Sequence, residues 1–344
     1  MRVLITGITS FLGLYTAKLL LREGHEVIGA VRPGSRRASE LDAYGITAYP
    51  TYRTVPLDLS ELPAPELGEA HYAQVLESVS PLLDAWVHFA WDGVGSAGRS
   101  DTNIQIENVQ NAKKAYLYAK LLGARKFLFA GSQAEYGTGN HRVPMPVSPY
   151  GKAKLAFGRW ATEQSLLSEI YDDTPMQFIH MRIYSVYGKG DHETSLVNTV
   201  LKAALHHEAI TLGPCTQRWN YLEVHDLARA ICILLASEDT RTDVYDIAGS
   251  DSRALKKYVI AMNSIAGKFA AANNIALGAG APTSAIAASS FGADLQFGTR
   301  ANNAEGAANM SPEILKLQRI GFHQEISFEA GIGMLLKEMC RSYT

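Results

Sequence analysis

Val3-Leu4-Ile5-Thr6-Gly7-Ile8-Thr9-Ser10-Phe11-Leu12-Gly13 is the stretch that decides the fold. Three apolar, strand-forming residues run into a glycine-bounded turn. The turn opens at once onto Phe11–Arg22, where Leu12, Tyr15, Leu19 and Leu20 fall on related faces of a helix. Gly24 then stops that helix. Strand, tight turn and helix in this order form the first half of a βαβ unit. A turn this tight aims backbone N–H groups and a helix N-terminus at one point, where a pyrophosphate fits. The strand before, the helix after and the early placement lift the loop above an ordinary connection.

The alternation continues outward. Glu26–Val31, Arg53–Leu57, Ala85–Ala90, Lys126–Ala130 and Gln177–Ile183 read as strands, and Asn103–Leu122 and Tyr150–Leu167 as helices. This spacing implies right-handed crossovers and a parallel sheet. The expected class is α/β: a Rossmann-like doubly wound parallel sheet over 1–186, with a smaller α+β substrate domain over 187–344. Helices are expected at Leu196–His206, Asp226–Ala236 and Phe328–Met339, and Val244–Ile247 is expected to return to the sheet. Ser311-Pro312-Glu313 reads as a helix start, with serine as N-cap and proline in the first turn. Phe269 to Asn309 is rich in Ala, Gly, Ser and Asn and has no clean period. It reads as either a flap or a poorly ordered insertion, with no catalytic role.

Composition narrows the function. At 344 residues and 47% apolar content the chain suits one large domain and a smaller one. A net charge of -2 without a long basic block gives no reason to expect nucleic acid. Cys215, Cys232 and Cys340 are too scattered for a disulfide framework or a metal site, so a reducing cytoplasm is expected. The histidines are dispersed too, and no metal is expected. No apolar run approaches a membrane span.

The chemistry sits in Tyr150-Gly151-Lys152-Ala153-Lys154. Tyr150 and Lys154, four residues apart, share a helix face. Ser132 ends the preceding strand, on the rim where an open α/β sheet binds ligands. A hydroxyl, a phenol and an ammonium beside a nucleotide loop can move a proton while a hydride moves. A free phenol, with pKa near ~10, is a poor base at neutral pH, and a neighbouring cation favours its phenolate.

TGITSFLG (6–13), GSQAEYG (131–137) and YGKAK (150–154) together resemble the extended short-chain dehydrogenase/reductase family of nucleotide-sugar epimerases, dehydratases and reductases. The likeness covers most of the chain apart from the alanine-rich stretch. The family loop usually reads TGxxGxxG, so Ser10 stands in place of the middle glycine. The resemblance implies that Gly7, Thr9, Ser10, Phe11, Leu12 and Gly13 cradle the pyrophosphate and that Asp58 and Leu59 meet the adenine. It places Phe89, Ala90 and Trp91 beside the nicotinamide ribose, with Ile183 also at the cofactor. Tyr150 becomes the general acid/base, Lys154 its partner and a ligand of the ribose hydroxyls, and Ser132 the hydrogen-bond donor to the reacting oxygen. Asn108 falls near the family's structural asparagine.

Other positions discriminate within the family. The second strand runs into Arg32-Pro33-Gly34-Ser35-Arg36-Arg37 with no carboxylate, so Arg32 with Arg36 or Arg37 can pair with a 2′-phosphate. NADP(H) is therefore favoured, with NAD(H) the alternative. Family dehydratases carry an acidic residue, often an Asp-Glu pair, between the serine hydroxyl and the Tyr-Gly, whereas this chain has Gln133 and Ala134 at those positions, with Glu135 immediately before Tyr136. A 4,6-dehydratase is disfavoured. Gln133, Ser185 and Arg218 are the candidate substrate contacts, Arg218 lying one residue before the family's usual diphosphate arginine. The leading expectation is reduction of a keto group on a nucleotide-activated deoxysugar. A 4-epimerase with tightly held NAD is the runner-up, and a non-catalytic dinucleotide sensor ranks third. The resemblance also suggests a homodimer through the Asn103–Leu122 and Tyr150–Leu167 helices, whose apolar faces serve equally well as internal core.

Overall fold

The computed structural model describes residues 1–63, 82–273, 292–299 and 311–341. Its strands in chain order are β1 (Arg2–Thr6), β2 (Glu26–Val31), β3 (Tyr52–Pro56), β4 (Ala85–His88), β5 (Lys126–Ser132), β6 (Gln177–Ile183), β7 (Ser185–Tyr187), β8 (Ala209–Leu212), β9 (Arg218–Glu223), β10 (Asp243–Ile247), β11 (Ser252–Ala254) and β12 (Asp294–Phe297). The chain divides into two compact units, one of Met1–Tyr184, Leu227–Ile247 and Glu313–His323, the other of Ser185–Asp226, Ala248–Pro312 and Gln324–Thr344.

The first unit is built on a seven-stranded parallel sheet in the order β10-β6-β5-β4-β1-β2-β3. From β1 the chain moves outward to β3, then returns to β4 and moves outward the other way. The direction therefore switches between β1 and β4, and the crevice beyond their carboxyl ends is the natural ligand site of such a sheet. Strands covered on both faces read as continuous apolar runs, as in Val3, Leu4 and Ile5, all fully buried. The Thr102–Leu121 and Pro149–Tyr171 helices pack on each other and on the sheet. Ala112, Ala115, Ala119 and Ala161 let their backbones approach a core of Trp86, Tyr116, Phe127, Phe157 and Phe178.

The helix starts near the sheet's carboxyl edge are set by side-chain caps. Ser10 accepts from Gly13 N at the start of Phe11–Arg22, Asp101 from Asn103 N and Ile104 N, and Ser148 from Gly151 N. Proline follows Ser148 in the first turn, where its missing N–H costs nothing.

The second unit holds a three-stranded sheet, β11-β9-β7, and a parallel β12-β8 pair. The Leu255–Ala272 helix packs against both Leu196–His206 and Phe328–Arg341. Tyr187, Tyr221, Tyr258 and Phe328 meet ring to ring at its centre.

Two sequence expectations need correction. Ser311 caps no helix: the helix there is Leu315–Arg319, with Ile314 at its N-cap. The main-chain N–H of Glu313 instead donates to Asp246 Oδ2 at 2.8 Å, which pins the segment in a non-helical form. Within Phe269 to Asn309, the first residues complete the Leu255–Ala272 helix and Asp294–Phe297 pairs with β8. The remainder of that stretch falls mainly outside the described residues. Elsewhere the differences are at element ends: Pro149–Tyr171 runs four residues past the expected end at Leu167, and β5 continues to Ser132.

Candidate active site

The loop between β1 and the Phe11–Arg22 helix is closely built. Gly7 takes φ +73, a left-handed conformation that glycine adopts without strain. A Cβ on Gly13 would lie 2.4 Å from Gly7 O and 2.8 Å from Ile8 Cα, so the helix can begin against the loop only with glycine there. Ser10, the position that departs from the family pattern, is the N-cap; its Oγ accepts from Gly13 N at 3.1 Å, which leaves the hydroxyl proton to donate elsewhere. Thr9 precedes this cap, Leu12 lies in the first turn, and Phe11 packs edge-on against Tyr15. This cradle and its helix N-terminus fit a dinucleotide's pyrophosphate.

The neighbouring strand ends complete the rim. Phe89 N donates to Thr6 O at 2.9 Å, and Ser132 and Ile183 stand opposite each other in the β5–β6 register. Asp58, after β3, accepts from both the N–H and the hydroxyl of Ser60, and Leu59 beside it is buried. Asn108 is a buried clamp: its amide accepts from Asp92 N and donates to Asp92 O, both at 2.9 Å. It fixes the loop that carries Ala90 and Trp91.

Tyr150 and Lys154 lie on one face of the Pro149–Tyr171 helix, both buried, with Lys154 Nζ 5.6 Å from the Tyr150 ring centroid. Lys154 Nζ donates to Ala130 O at 2.6 Å and sits 3.8 Å from the Trp91 ring centroid and 4.7 Å from that of Phe129. Burial pushes this ammonium's pKa well below its ordinary value; the Glu135 charge opposes that and Arg99 adds to it. The aromatic faces and the carbonyl support the charged form. Trp91 is held by its own N–H to Gln105 Oε1 at 2.8 Å. Beside this group His88, its Nδ1 bonded to Thr6 Oγ1, is driven by burial to a pKa of about 3, with Lys154 adding to the shift, so it stays neutral.

Sequence reading missed Arg99. Its guanidinium lies 4.6 Å from the Tyr150 ring centroid, carried by the short Ser96–Ser100 helix, which has no periodic signal.

Ser132 is buried at the end of β5. Its hydroxyl donates to Gln133 Oε1 at 3.0 Å and accepts from Ala134 N at 3.2 Å. The Pro149–Tyr171 helix packs directly on this turn, since a Cβ on Gly151 would meet Ala134 O at 2.4 Å. Glu135 is fully buried and accepts from Ser132 N, His180 Nε2 and Arg182 Nε, each at 2.9 Å. Burial raises its pKa, but His180, Arg182 and the hydrogen bonds outweigh that and hold it below the ordinary carboxylate value. A carboxyl so held contributes stability that is present above pH about 4.5 and is lost as pH falls below that. Glu135→Gln is accordingly expected to cost about 3 kcal/mol at neutral pH, by leaving Arg182 without its counter-charge. Urea melts at neutral pH and near pH ~4 check this: the gap to wild type should shrink in acid, and a gap independent of pH would refute it.

The other candidates divide. Arg32 Nη1 is ion-paired with Asp92 Oδ2 at 3.1 Å, and both side chains are about three-fifths exposed. Arg36 is exposed in the turns after β2. Ser185 and Arg218 belong to the second unit, paired in register with Tyr221 and Ala254 respectively. Among the described residues no group of three or more His, Cys, Asp or Glu could hold a metal ion, and no helix is long and apolar enough to cross a membrane.

The chain is 24% identical over 283 residues to the CDP-abequose synthase of Yersinia pseudotuberculosis, covering 81% of this chain and 88% of that protein. The fold is similar to the Thermotoga maritima UDP-glucose 4-epimerase crystallised with UDP-glucose, with TM-score 0.75, 16% identity and full coverage of both chains. The Thermus thermophilus UDP-glucose 4-epimerase in complex with NAD superposes with TM-score 0.71 at 19% identity, over 99% of each chain. The sequence model of the NAD dependent epimerase/dehydratase family matches residues 3–248, well over half of the chain, and the chain belongs to that family of enzymes.

Proposed function

We propose that this enzyme reduces a keto group on a nucleotide-activated deoxysugar. The observation that carries the reading is the buried Tyr150–Lys154 pair, set against Trp91 and Ala130 at the carboxyl edge of the sheet. The bound dinucleotide would supply a hydride to the carbonyl carbon. Tyr150 gives its phenolic proton to the carbonyl oxygen, so ketone, hydride and proton become an alcohol. Lys154 stabilises the phenolate left behind, and Ser132 steadies the charge that develops on oxygen. Gln133 and Ala134 occupy the places where family dehydratases carry an acid, and Glu135 is locked between Arg182 and His180. None of the three is disposed to protonate a leaving hydroxyl. In this reading Ser185, Arg218 and Gln133 contact the nucleotide-sugar. Ile106, Leu121, Leu166, Leu167 and Ile170, exposed on the two long helices, support a homodimer.

The test is a survey of NADH and NADPH oxidation with UDP-, GDP-, CDP- and dTDP-linked keto-deoxysugars, run beside an epimerisation assay on the corresponding hexoses. Cofactor oxidation with one keto-sugar supports the reading. Hexose epimerisation without net cofactor oxidation replaces it with the 4-epimerase.

One observation favours that second reading. Asp92 already pairs with Arg32, and so competes with a 2′-phosphate for its charge. We nevertheless infer a preference for NADP(H), because the end of β2 carries arginine and no carboxylate. Exposure and screening keep the expected preference to about tenfold. Arg32→Asp should turn it toward NAD(H), and Asp92→Asn should strengthen it. Titration of each variant with both reduced cofactors at one salt concentration decides the matter. Wild type preferring NADH would overturn the inference and move the balance to the epimerase.

A further inference from the structure

We propose that Glu135 is a positioning residue for Ser132: its buried carboxylate, clamped by His180 and Arg182, fixes the Ser132 main chain and thereby aims the Ser132 hydroxyl. This rests on the reading of Ser132 as the donor to the reacting oxygen.

The geometry is specific. Glu135 Oε1 accepts from Ser132 N and from His180 Nε2, while Oε2 accepts from Arg182 Nε. His180 and Arg182 are two apart on β6 and so face the same side of the sheet, and β6 runs in register beside β5, whose last residue is Ser132. The surrounding chain makes room for this cluster. A Cβ on Gly131 would lie 2.4 Å from His180 Nε2 and 2.6 Å from Glu135 Oε1, and a Cβ on Gly158 would lie 2.2 Å from His180 Cε1. Both the strand carrying Ser132 and the helix carrying Tyr150 are therefore cut away around His180.

Capping does not account for the arrangement. The short Gln133–Glu135 turn has the form of a capping box, but such a box works on the surface without burying a charge. Glu135 is wholly buried and Arg182 is 5% exposed, and burying such a pair is a poor source of stability. What the pair supplies is rigidity at the residue after which the chain turns. Beyond its place opposite Ile183 in the β5–β6 pairing, Ser132 is held through its hydroxyl, and a hydroxyl that turns to a substrate must release Gln133. The main-chain bond to Glu135 does not involve the hydroxyl, so it can hold the residue throughout that exchange.

The experiment is a double-mutant cycle between positions 135 and 132, measured on the turnover reaction found in the survey. Glu135→Gln should lower kcat about tenfold, with KM and NADH dissociation constant within about twofold of wild type. In the Ser132→Ala background the same change should cost less than about twofold in kcat, because its target is gone. A full, multiplicative loss in that background, or parallel changes in KM and NADH binding, would overturn the proposal. Because Glu135→Gln leaves Arg182 unpaired, Glu135→Leu/Arg182→Met provides a second variant without an orphaned charge. In that variant the Ser132 amide, followed by selective ¹⁵N-serine labelling, should exchange with solvent at least about tenfold faster than in wild type. Unchanged exchange overturns the positioning role. If wild type turns over no nucleotide-sugar, the proposed reaction fails, and the amide exchange still decides whether Glu135 holds Ser132.

Discussion

Tyr150→Phe is expected to lower kcat by about a hundred- to ten-thousandfold, the usual contribution of a positioned general acid. The NADH dissociation constant should stay within about twofold, since only the transferable proton is removed. The ring stays where it was: Tyr150 is 7% exposed, with Arg99 over one ring contact and Lys154 at another. Other phenols near this edge of the sheet are poor substitutes. Tyr136 and Tyr184 both donate their hydroxyls to the buried Asp246, and burial together with that carboxylate drives both pKa values far above the ordinary phenol. Neither can readily give up a proton that it already donates in a hydrogen bond to Asp246. The measurement is kcat, KM and NADH titration on wild type and variant with the substrate from the survey. A variant that keeps more than about a third of wild-type kcat would remove Tyr150 from the mechanism.

The fold was legible in the sequence where local chemistry and tertiary packing agree. The β1 run, the Gly7–Gly13 turn and the helix after it need no distant partner to be recognised, because periodicity and glycine placement state them locally. The parallel sheet follows from repeating that pattern. The β11-β9-β7 sheet and the β12-β8 pair were not legible, because strands of three to six residues draw their stability from partners far along the chain. Ser311 misled for a related reason: its local cap signal lost to a tertiary bond from Glu313 N to Asp246.

The candidate site divides the same way. Ser132, Tyr150 and Lys154 stand on elements the sequence announces, and their spacing carries meaning. Glu135, His180 and Arg182 do not announce themselves: Glu135 is separated from its two partners by 45 and 47 residues, and each reads alone as an ordinary polar side chain. Trp91 was placed near the cofactor, but its stacking on the Lys154 ammonium required the fold to bring β4 and the Pro149–Tyr171 helix together. Arg32 shows the converse. Its position after β2 was readable, whereas its partner Asp92 lies 60 residues away.

Gly13→Val is expected to reduce dinucleotide affinity at least about a hundredfold, equivalent to roughly 2.7 kcal/mol. The argument is steric and local. The nearest atoms to a Cβ at Gly13 are Gly7 O at 2.4 Å and Ile8 Cα and O at 2.8 Å, all main chain. No side chain can swing aside, so either the first turn of the Phe11–Arg22 helix or the loop must move. Both carry the N–H groups that would face the pyrophosphate, and that bond set tolerates little displacement. Overpacking should also cost about 1–3 kcal/mol of stability. Gly333→Ala is the control, because nothing lies within 4 Å of a Cβ there and the residue is in the Phe328–Arg341 helix. It should leave NADH binding unchanged and stabilise by up to about 1 kcal/mol through helix propensity. Fluorescence titration with NADH, paired with thermal melts to confirm that each variant is folded, separates loss of binding from loss of fold. If folded Gly13→Val binds NADH as wild type does, the loop between β1 and that helix is not the pyrophosphate cradle.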